Sequence, residues 1–286
     1  MDLSTKKKLI NKNDNDLSIN AQCNILELSK GGLYYQPRVK YSEEDIQVLN
    51  RMDEIFTDYP FYGYRKIYHQ LLKEGFSIGK DRVLKYMNIL GLEAFYPKKK
   101  KGLSDTNKEH KIYPYLLKNL KITEPNQVWA IDITYIRMKG GFVYLVAIID
   151  WFSRYILSYK LSNSLEIYFC KDALFEALDK YGKPIIFNSD QGSQFTSNSF
   201  TRILLDNNIK ISMDSKGRAL DNVIIERFFR YLKYENIYIN EYLNIKEVLE
   251  GIKKYLYFYN NKRLHQSLNY NSPIDLYKIK EERTQI

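Results

Sequence analysis

The sequence predicts an α/β protein, a mixed sheet flanked by helices and preceded by an α-helical region. Two observations carry this. Residues 17–90 place apolar side chains at helical spacing, whereas residues 128–161 form three β-rich runs separated by short turn signals. After those runs, helix and strand patterns alternate, as they do when helices cover a sheet. Apolar residues make up 44% of the 286, enough for a packed core.

The elements follow in order. Residues 17–35 predict a helical hairpin, with Leu17, Ala21 and Ile25 at helical spacing and Ser29 as N-cap of a second short helix carrying Leu33. Pro37 ends it. Ser42 and Asp45 resemble a capping box opening a helix at 42–57, with Ile46, Leu49, Met52 and Phe56 as its apolar stripe. Two helices at 64–74 and 78–89 turn at Gly75 and stop at Gly91. Ile67, Leu71 and Leu72 face a core on the first; Val83, Met87 and Leu90 do so on the second. The second also carries Lys80, Arg82 and Lys85, with Lys98 to Lys101 beyond. Two short helices with a basic second member suggest a helix-turn-helix. A hairpin with a solvated basic face fits that pattern equally well. Residues 102–123 read as a linker with one short helix. The runs 128–137, 142–151 and 155–161 predict an antiparallel meander, turning at Gly140-Gly141 and at Phe152-Ser153-Arg154. A helix at 164–181, a strand at 184–189, a helix at 197–207, a strand at 209–213 and long helices at about 219–238 and 245–263 complete the pattern. The division this predicts is a helical segment at 1–58, a helix-turn-helix domain at 59–101, a linker at 102–122 and a sheet domain with C-terminal helices at 123–286.

The net charge is +10, which favours a polyanionic partner. Residues 61–101 hold ten Lys/Arg and three Asp/Glu, a local +7, while residues 1–60 carry −2. The excess is therefore localised, as a binding surface would be. Cys23 and Cys170 stand far apart and build neither a disulfide framework nor a zinc site, which fits a reducing cytoplasm. The longest apolar run, 142–149, ends at Asp150, short of the roughly 20 residues that span a bilayer. Lys6, Lys7 and Lys8 lead into Asn- and Asp-rich sequence with no apolar signal core, so a cytoplasmic protein without a membrane partner is expected.

Three acidic residues stand out. Asp132 lies inside the apolar strand 128–134, where a carboxylate costs desolvation unless it is paired or binds metal. Asp190 follows the strand 184–189, just before Gly192; active-site residues favour such strand ends. Glu226 lies in the apolar helical stretch 223–229. Singly, each has an ordinary explanation: a buried Asp satisfied by backbone, a turn-forming Asp, the polar face of an amphipathic helix. Their spacing is what sets them apart, with 57 residues between the first two and 35 between the last two.

That triad resembles the Asp, Asp, 35-spaced Glu of the integrase-type transposases. Trp129-Ala130-Ile131-Asp132-Ile133-Thr134 resembles the family's first motif and Ser189-Asp190-Gln191-Gly192-Ser193-Gln194-Phe195 its second. Asp221-Asn222, Glu226-Arg227-Phe228-Phe229, Leu232-Lys233 and Glu235 resemble the third. Tyr259-Asn260, Arg263-Leu264-His265, Leu268 and Pro273 match the closing segment, although Leu264 stands where the family usually has Pro. Tyr62-Gly63-Tyr64-Arg65 and Gly91-Leu92 are similar to the helix-turn-helix of second-reading-frame proteins from insertion sequences with two overlapping frames. The resemblance covers roughly residues 17–280. Retroviral integrases share the triad, but their zinc module needs paired His and Cys, and this chain has only His69, His110 and His265.

The resemblance implies a ribonuclease H-like fold and a transposase that cuts and joins DNA strands. Such in-line displacements at phosphorus depend on positioning and charge stabilisation. Asp132, Asp190 and Glu226 would hold Mg²⁺ or Mn²⁺, two ions about 4 Å apart, since these hard cations take oxygen ligands. Water attacks first and the freed 3′-hydroxyl second, so no Ser or Tyr nucleophile is needed despite 26 tyrosines. Lys233 lies seven residues after Glu226, nearly two turns at roughly 100° per residue, so it shares that face and would contact DNA. Asn222, one turn before Glu226, shares it too. Arg65, Lys80, Arg82 and Lys85 are the DNA-binding candidates of the helix-turn-helix. The implied partners are DNA, both element ends and target, and further copies of the chain assembled on that DNA. An upstream-frame protein is a candidate partner, since no heptad stretch is present. The alternative is a non-catalytic DNA-binding regulator or a decayed element protein, which has no reason to keep three carboxylates. A metal-dependent nuclease on the same fold would not need the basic helical region.

Overall fold

The computed structural model describes residues 3–12, 14, 16–34, 41–95, 112–214 and 222–278. Pro37, Lys98 to Lys101, His110 and Asp221 lie outside them. The chain forms two compact units, residues 1–51 and 52–286.

The first unit holds three short helices, α1 (Leu3–Lys8), α2 (Ile19–Ile25) and α3 (Lys30–Tyr34). Ser18 caps α2 by accepting the Ala21 N–H, and Ser29 accepts the Gly32 N–H at the start of α3. The hairpin forms, but its inner face differs from the predicted one. Leu17 and Ile25 are exposed, and Gln22 and Cys23 are buried. The Gln22 amide is satisfied locally: its Oε1 accepts the Asn11 N–H, and its Nε2 donates to the carbonyls of Asn11 and Leu17. A buried amide with all partners in place can hold that position.

Helix α4 (Glu43–Asp58) opens on the predicted capping box: Ser42 Oγ accepts the Asp45 N–H at 3.2 Å, and Asp45 Oδ2 accepts the Ser42 N–H at 2.9 Å. Its buried stripe is Val48, Met52 and Ile55, and Ile46 is exposed. Helices α5 (Tyr64–Lys73) and α6 (Lys80–Leu90) follow. Ile67, Leu71, Val83 and Met87 are buried, but Leu72 is exposed, since Ile67 and Leu71 already define the inward face. Gly91 stops α6 with φ of 66°, a left-handed cap that favours glycine.

Strands β1 (Val128–Met138), β2 (Gly141–Asp150) and β3 (Ile156–Ser162) form the predicted antiparallel meander. Then come α7 (Tyr168–Tyr181), β4 (Ile186–Ser189), α8 (Ser193–Thr196), α9 (Asn198–Asp206) and β5 (Lys210–Met213). The sheet order is β3-β2-β1-β4-β5, with β4 parallel to both β1 and β5. This mixed five-stranded sheet is the ribonuclease H-like arrangement. Helix α10 (Val223–Leu232) passes into a π-helical turn at Lys233–Ile237, then α11 (Tyr238–Asn240) and α12 (Ile245–Asn261). The single helix predicted at 219–238 is thus interrupted. In the wider turn Asn236 is buried, donating to the Gly251 carbonyl and accepting the Tyr242 hydroxyl. Helix α13 (Pro273–Tyr277) closes the described chain.

The period-two alternation of β1 sorts its side chains to two cores. Trp129 and Ile131 pack with Ala173 and Leu174 of α7 and Phe200 of α9. Ala130 and Ile136 pack with Ile225 and Phe228 of α10 and Ile252 and Tyr259 of α12. Each fully buried Ile, Leu or Phe contributes about 1.5–3 kcal/mol. Asp132 has the parity of Ala130 and therefore faces the α10 side. Leu264, where the resemblance has Pro, is buried and donates its N–H to the Tyr62 hydroxyl at 3.3 Å. A proline has no such donor.

Candidate active site

The carboxylates come together through strand register. In the parallel pair, Ala130 of β1 lies opposite Asn188 of β4. Two residues further along each chain are Asp132 and Asp190, so neighbouring backbones carry both groups to the same end of the sheet. Glu226 approaches from α10. That helix is tied to β1 by Asn222, which precedes it and donates its amide Nδ2 to the Ile131 carbonyl at 3.4 Å. A Cβ at Gly192 would stand 2.9 Å from Asp190 Oδ1, so a side chain there would displace this carboxylate, whose Oδ1 accepts the Gly192 N–H.

Electrostatics show the crowding. Burial holds the Asp132 carboxyl well above the ordinary carboxylate range, and Asp190 pushes it further, against the Ile133 N–H that it accepts. Burial raises Asp190 too, opposed by the Gly192 N–H. Burial and the Asp190 charge raise Glu226. Asp132 and Asp190 each use one oxygen on a backbone N–H, and their second oxygens have no hydrogen-bond partner among the described residues. Hard, partly desolvated oxygens that repel one another are a donor set suited to a divalent cation. Among the described residues, no three such side chains already close into a ligating cluster.

Asp132, Glu226 and Lys233 line one pocket of about 410 Å³, with Arg230, Tyr234 and Tyr238. Lys233 stands on the predicted face, its Nζ 4.6 Å from the centre of the Tyr135 ring. Burial lowers its ammonium pKa and the nearby Asp132 opposes that. Asn222 is buried: its Nδ2 is spent on the Ile131 carbonyl, it makes no side-chain cap to the helix, and its Oδ1 has no hydrogen-bond partner among the described residues. Arg65 is exposed on α5, and Lys80, Arg82 and Lys85 are exposed on α6 away from this pocket. Sequence reasoning overlooked Arg230 and Tyr234, although i+4 and i+8 from Glu226 carry the same helical signal as Lys233. It also overlooked Asp214, which follows β5, accepts from the Asn188 amide and adds to the charge felt by Asp132. No motif marks it.

Comparison with known proteins agrees with this architecture. A helix-turn-helix-like domain model matches residues 42–100, taking in α4 as well as α5 and α6. Integrase core domain models match residues 122–219 and 207–273. The chain is 35% identical over 228 residues to the transposase for insertion sequence element IS904 of Lactococcus lactis subsp. lactis (strain IL1403), across 76% of this chain and 87% of that protein. It is 29% identical over 271 residues to the transposase InsF for insertion sequence IS3A of Escherichia coli (strain K12), across 91% and 94%. Among solved structures, the catalytic core domain of HTLV-2 integrase in complex with magnesium aligns with 55% of this chain and 99% of that one, at 21% identity and a TM-score of 0.42. Fold and domain content define a polynucleotidyl transferase of the integrase-core class. The chain belongs to the transposases of insertion sequences, in the group that resembles those of IS3 and IS904. The helix-turn-helix reading of α5 and α6 is thereby favoured over an ordinary hairpin, and the relatives named above are transposases, which favours the catalytic reading over a non-catalytic regulator. Among the described residues no helix is long and apolar enough to cross a membrane.

Proposed function

We propose that the protein cleaves the ends of its own element and joins them to target DNA, using Asp132, Asp190 and Glu226 to hold Mg²⁺ or Mn²⁺. The observation that carries this is the β1–β4 register, which sets two crowded carboxylates side by side under the helix bearing the third. Two divalent ions in such a site supply charge stabilisation at the attacking and leaving oxygens. The chain's own residues do the positioning. Lys233 and Arg230 share the pocket of Asp132 and Glu226, where a bound phosphate needs cations. Assembly of several copies on DNA, and an upstream-frame partner, belong to the same reading; an end complex with the mass of one copy would remove the first.

The test is cleavage and strand transfer on DNA carrying the repeats that flank the coding sequence, with Mg²⁺ and with chelator. Wild type is expected to act only with the metal. Lys233→Ala should lower end binding and strand transfer about tenfold without altering folding, and Lys233→Arg should retain much of both. Full activity in chelator, or in the Ala variant, would contradict the respective assignment.

The exposed cations Arg65, Lys80, Arg82 and Lys85 are proposed to contact phosphates. Replacing Lys80 and Lys85 together by Ala should reduce the slope of log K against log salt by about two, because each lost contact releases about one counterion fewer. An unchanged slope would exclude both from the interface.

A further inference from the structure

A second cleft adjoins the carboxylate pocket, and it has the chemistry of a site for unpaired nucleotides. Its volume is about 870 Å³, and its walls come from α5, α10, the π turn and the 263–270 loop. Its cations are Arg65, Lys66, Arg227, Arg230 and Arg263, and its one acid is Glu235. Glu235 is already neutralised by Arg263, whose Nε lies 2.7 Å from Oε2, and by Lys66 at 3.9 Å. Arg227 and Arg230 have no ion-pair partner among the described residues. The cleft therefore offers uncompensated positive charge. It also offers ring faces: Phe95 is 51% exposed, and Tyr64 and Tyr234 are half-buried beside it. Arg230 and Tyr234 line both this cleft and the pocket of Asp132 and Glu226, so the two are continuous.

We infer that this cleft binds a short unpaired DNA strand next to the scissile phosphate, with phosphates on Arg65, Arg227 and Arg230 and bases stacked on Tyr234 and Phe95. In a duplex the base faces are covered by their neighbours, so exposed rings reward only bases that have left the stack. A purely electrostatic duplex groove has no use for Phe95. The idea takes its register from the proposed cleavage site, but binding without metal tests it separately from catalysis.

The experiment is fluorescence anisotropy with the full chain in chelator. The probes are an oligothymidylate, an abasic strand of equal length and an unrelated duplex of that length. Wild type is expected to bind the oligothymidylate at least about fivefold more tightly than the abasic strand, the smallest effect of one stacked base. Phe95→Ala with Tyr234→Ala should erase that preference and leave abasic binding unchanged, while Tyr234→Phe preserves it. Arg65→Ala with Arg227→Ala should weaken both strands alike and flatten their salt dependence. Phe95→Ala alone, at an exposed position, guards against a folding defect and should lower the preference by itself. Equal binding of intact and abasic strands by wild type, a preference that survives in the double aromatic variant, or a duplex that competes as well as the single strand would each overturn the inference.

Discussion

Asp132→Asn is expected to abolish Mg²⁺-dependent cleavage, by about a thousandfold or more, while making the metal-free protein more stable. The two effects share one cause. Asp132 is a half-buried carboxylate facing Asp190 and Glu226, and its pKa is raised by burial first and by Asp190 next. A carboxyl whose folded pKa lies above its unfolded value binds protons more readily in the folded state. Its ionisation therefore opposes folding as pH rises above the ordinary carboxylate value of about 4. Asparagine keeps the shape and removes the charge. In chelator, the variant should exceed wild type in thermal stability at neutral pH, and the gap should close as pH falls toward 4. Adding Mg²⁺ should stabilise wild type by mass action and leave the variant nearly unmoved. DNA binding should persist in both. Retained cleavage in Asp132→Asn, or an equal response of both proteins to Mg²⁺, would remove this carboxylate from the metal site.

The site and the fold were legible in the sequence to different depths. Strand boundaries came out within a residue or two because alternation has a strict period and Gly140-Gly141 forces a turn. Which strands pair is a tertiary fact. The neighbouring of Asp132 and Asp190 therefore had to await β1 and β4, although spacing and resemblance had already linked them. Helix faces were read less well. Ile25, Ile46 and Leu72 are apolar yet exposed, and Gln22 is polar yet buried with its amide fully bonded. The words that resemble the family's closing motif do structural work here. Asn260 accepts from the Ile156 N–H and donates to the Ile156 carbonyl, at the irregular pairing of β2 and β3. Arg263 holds Glu235. Sequence matching alone gives no means of separating such residues from the catalytic ones, because both kinds are polar and regularly spaced.

Glu235→Leu is expected to cost about 3–5 kcal/mol of unfolding free energy, the usual penalty for breaking a buried ion pair from one side. Glu235 accepts from the Nε and a terminal nitrogen of Arg263 and from the Tyr255 hydroxyl, and Lys66 of α5 lies 3.9 Å away. Burial alone would raise its carboxyl, but Arg263, Lys66 and the Tyr255 hydroxyl hold it below the ordinary range. Its contribution is therefore present above the ordinary carboxylate value and is lost as pH falls below it. Leucine strands two cations, buried Arg263 and half-buried Lys66, with unequal means of relief. Lys66, already lowered to about 7 mainly by burial and by Arg263, can give up its proton. Arg263 cannot, so it must stay charged and unpaired or drag its segment toward water. Glu235→Leu should accordingly hurt more than Arg263→Leu, which leaves Glu235 with Lys66. The double variant should cost clearly less than the sum of the two singles, since partners in one network are not additive. Urea unfolding at neutral pH measures all three, and additive losses would show that the pair is not coupled. Because Lys66 sits on a helix of the helix-turn-helix-like domain and Arg263 follows α12, the same variants should lower DNA cleavage more than they change Mg²⁺ binding. A Glu235→Leu protein with wild-type stability and cleavage would show that this junction does not hold the two parts in register.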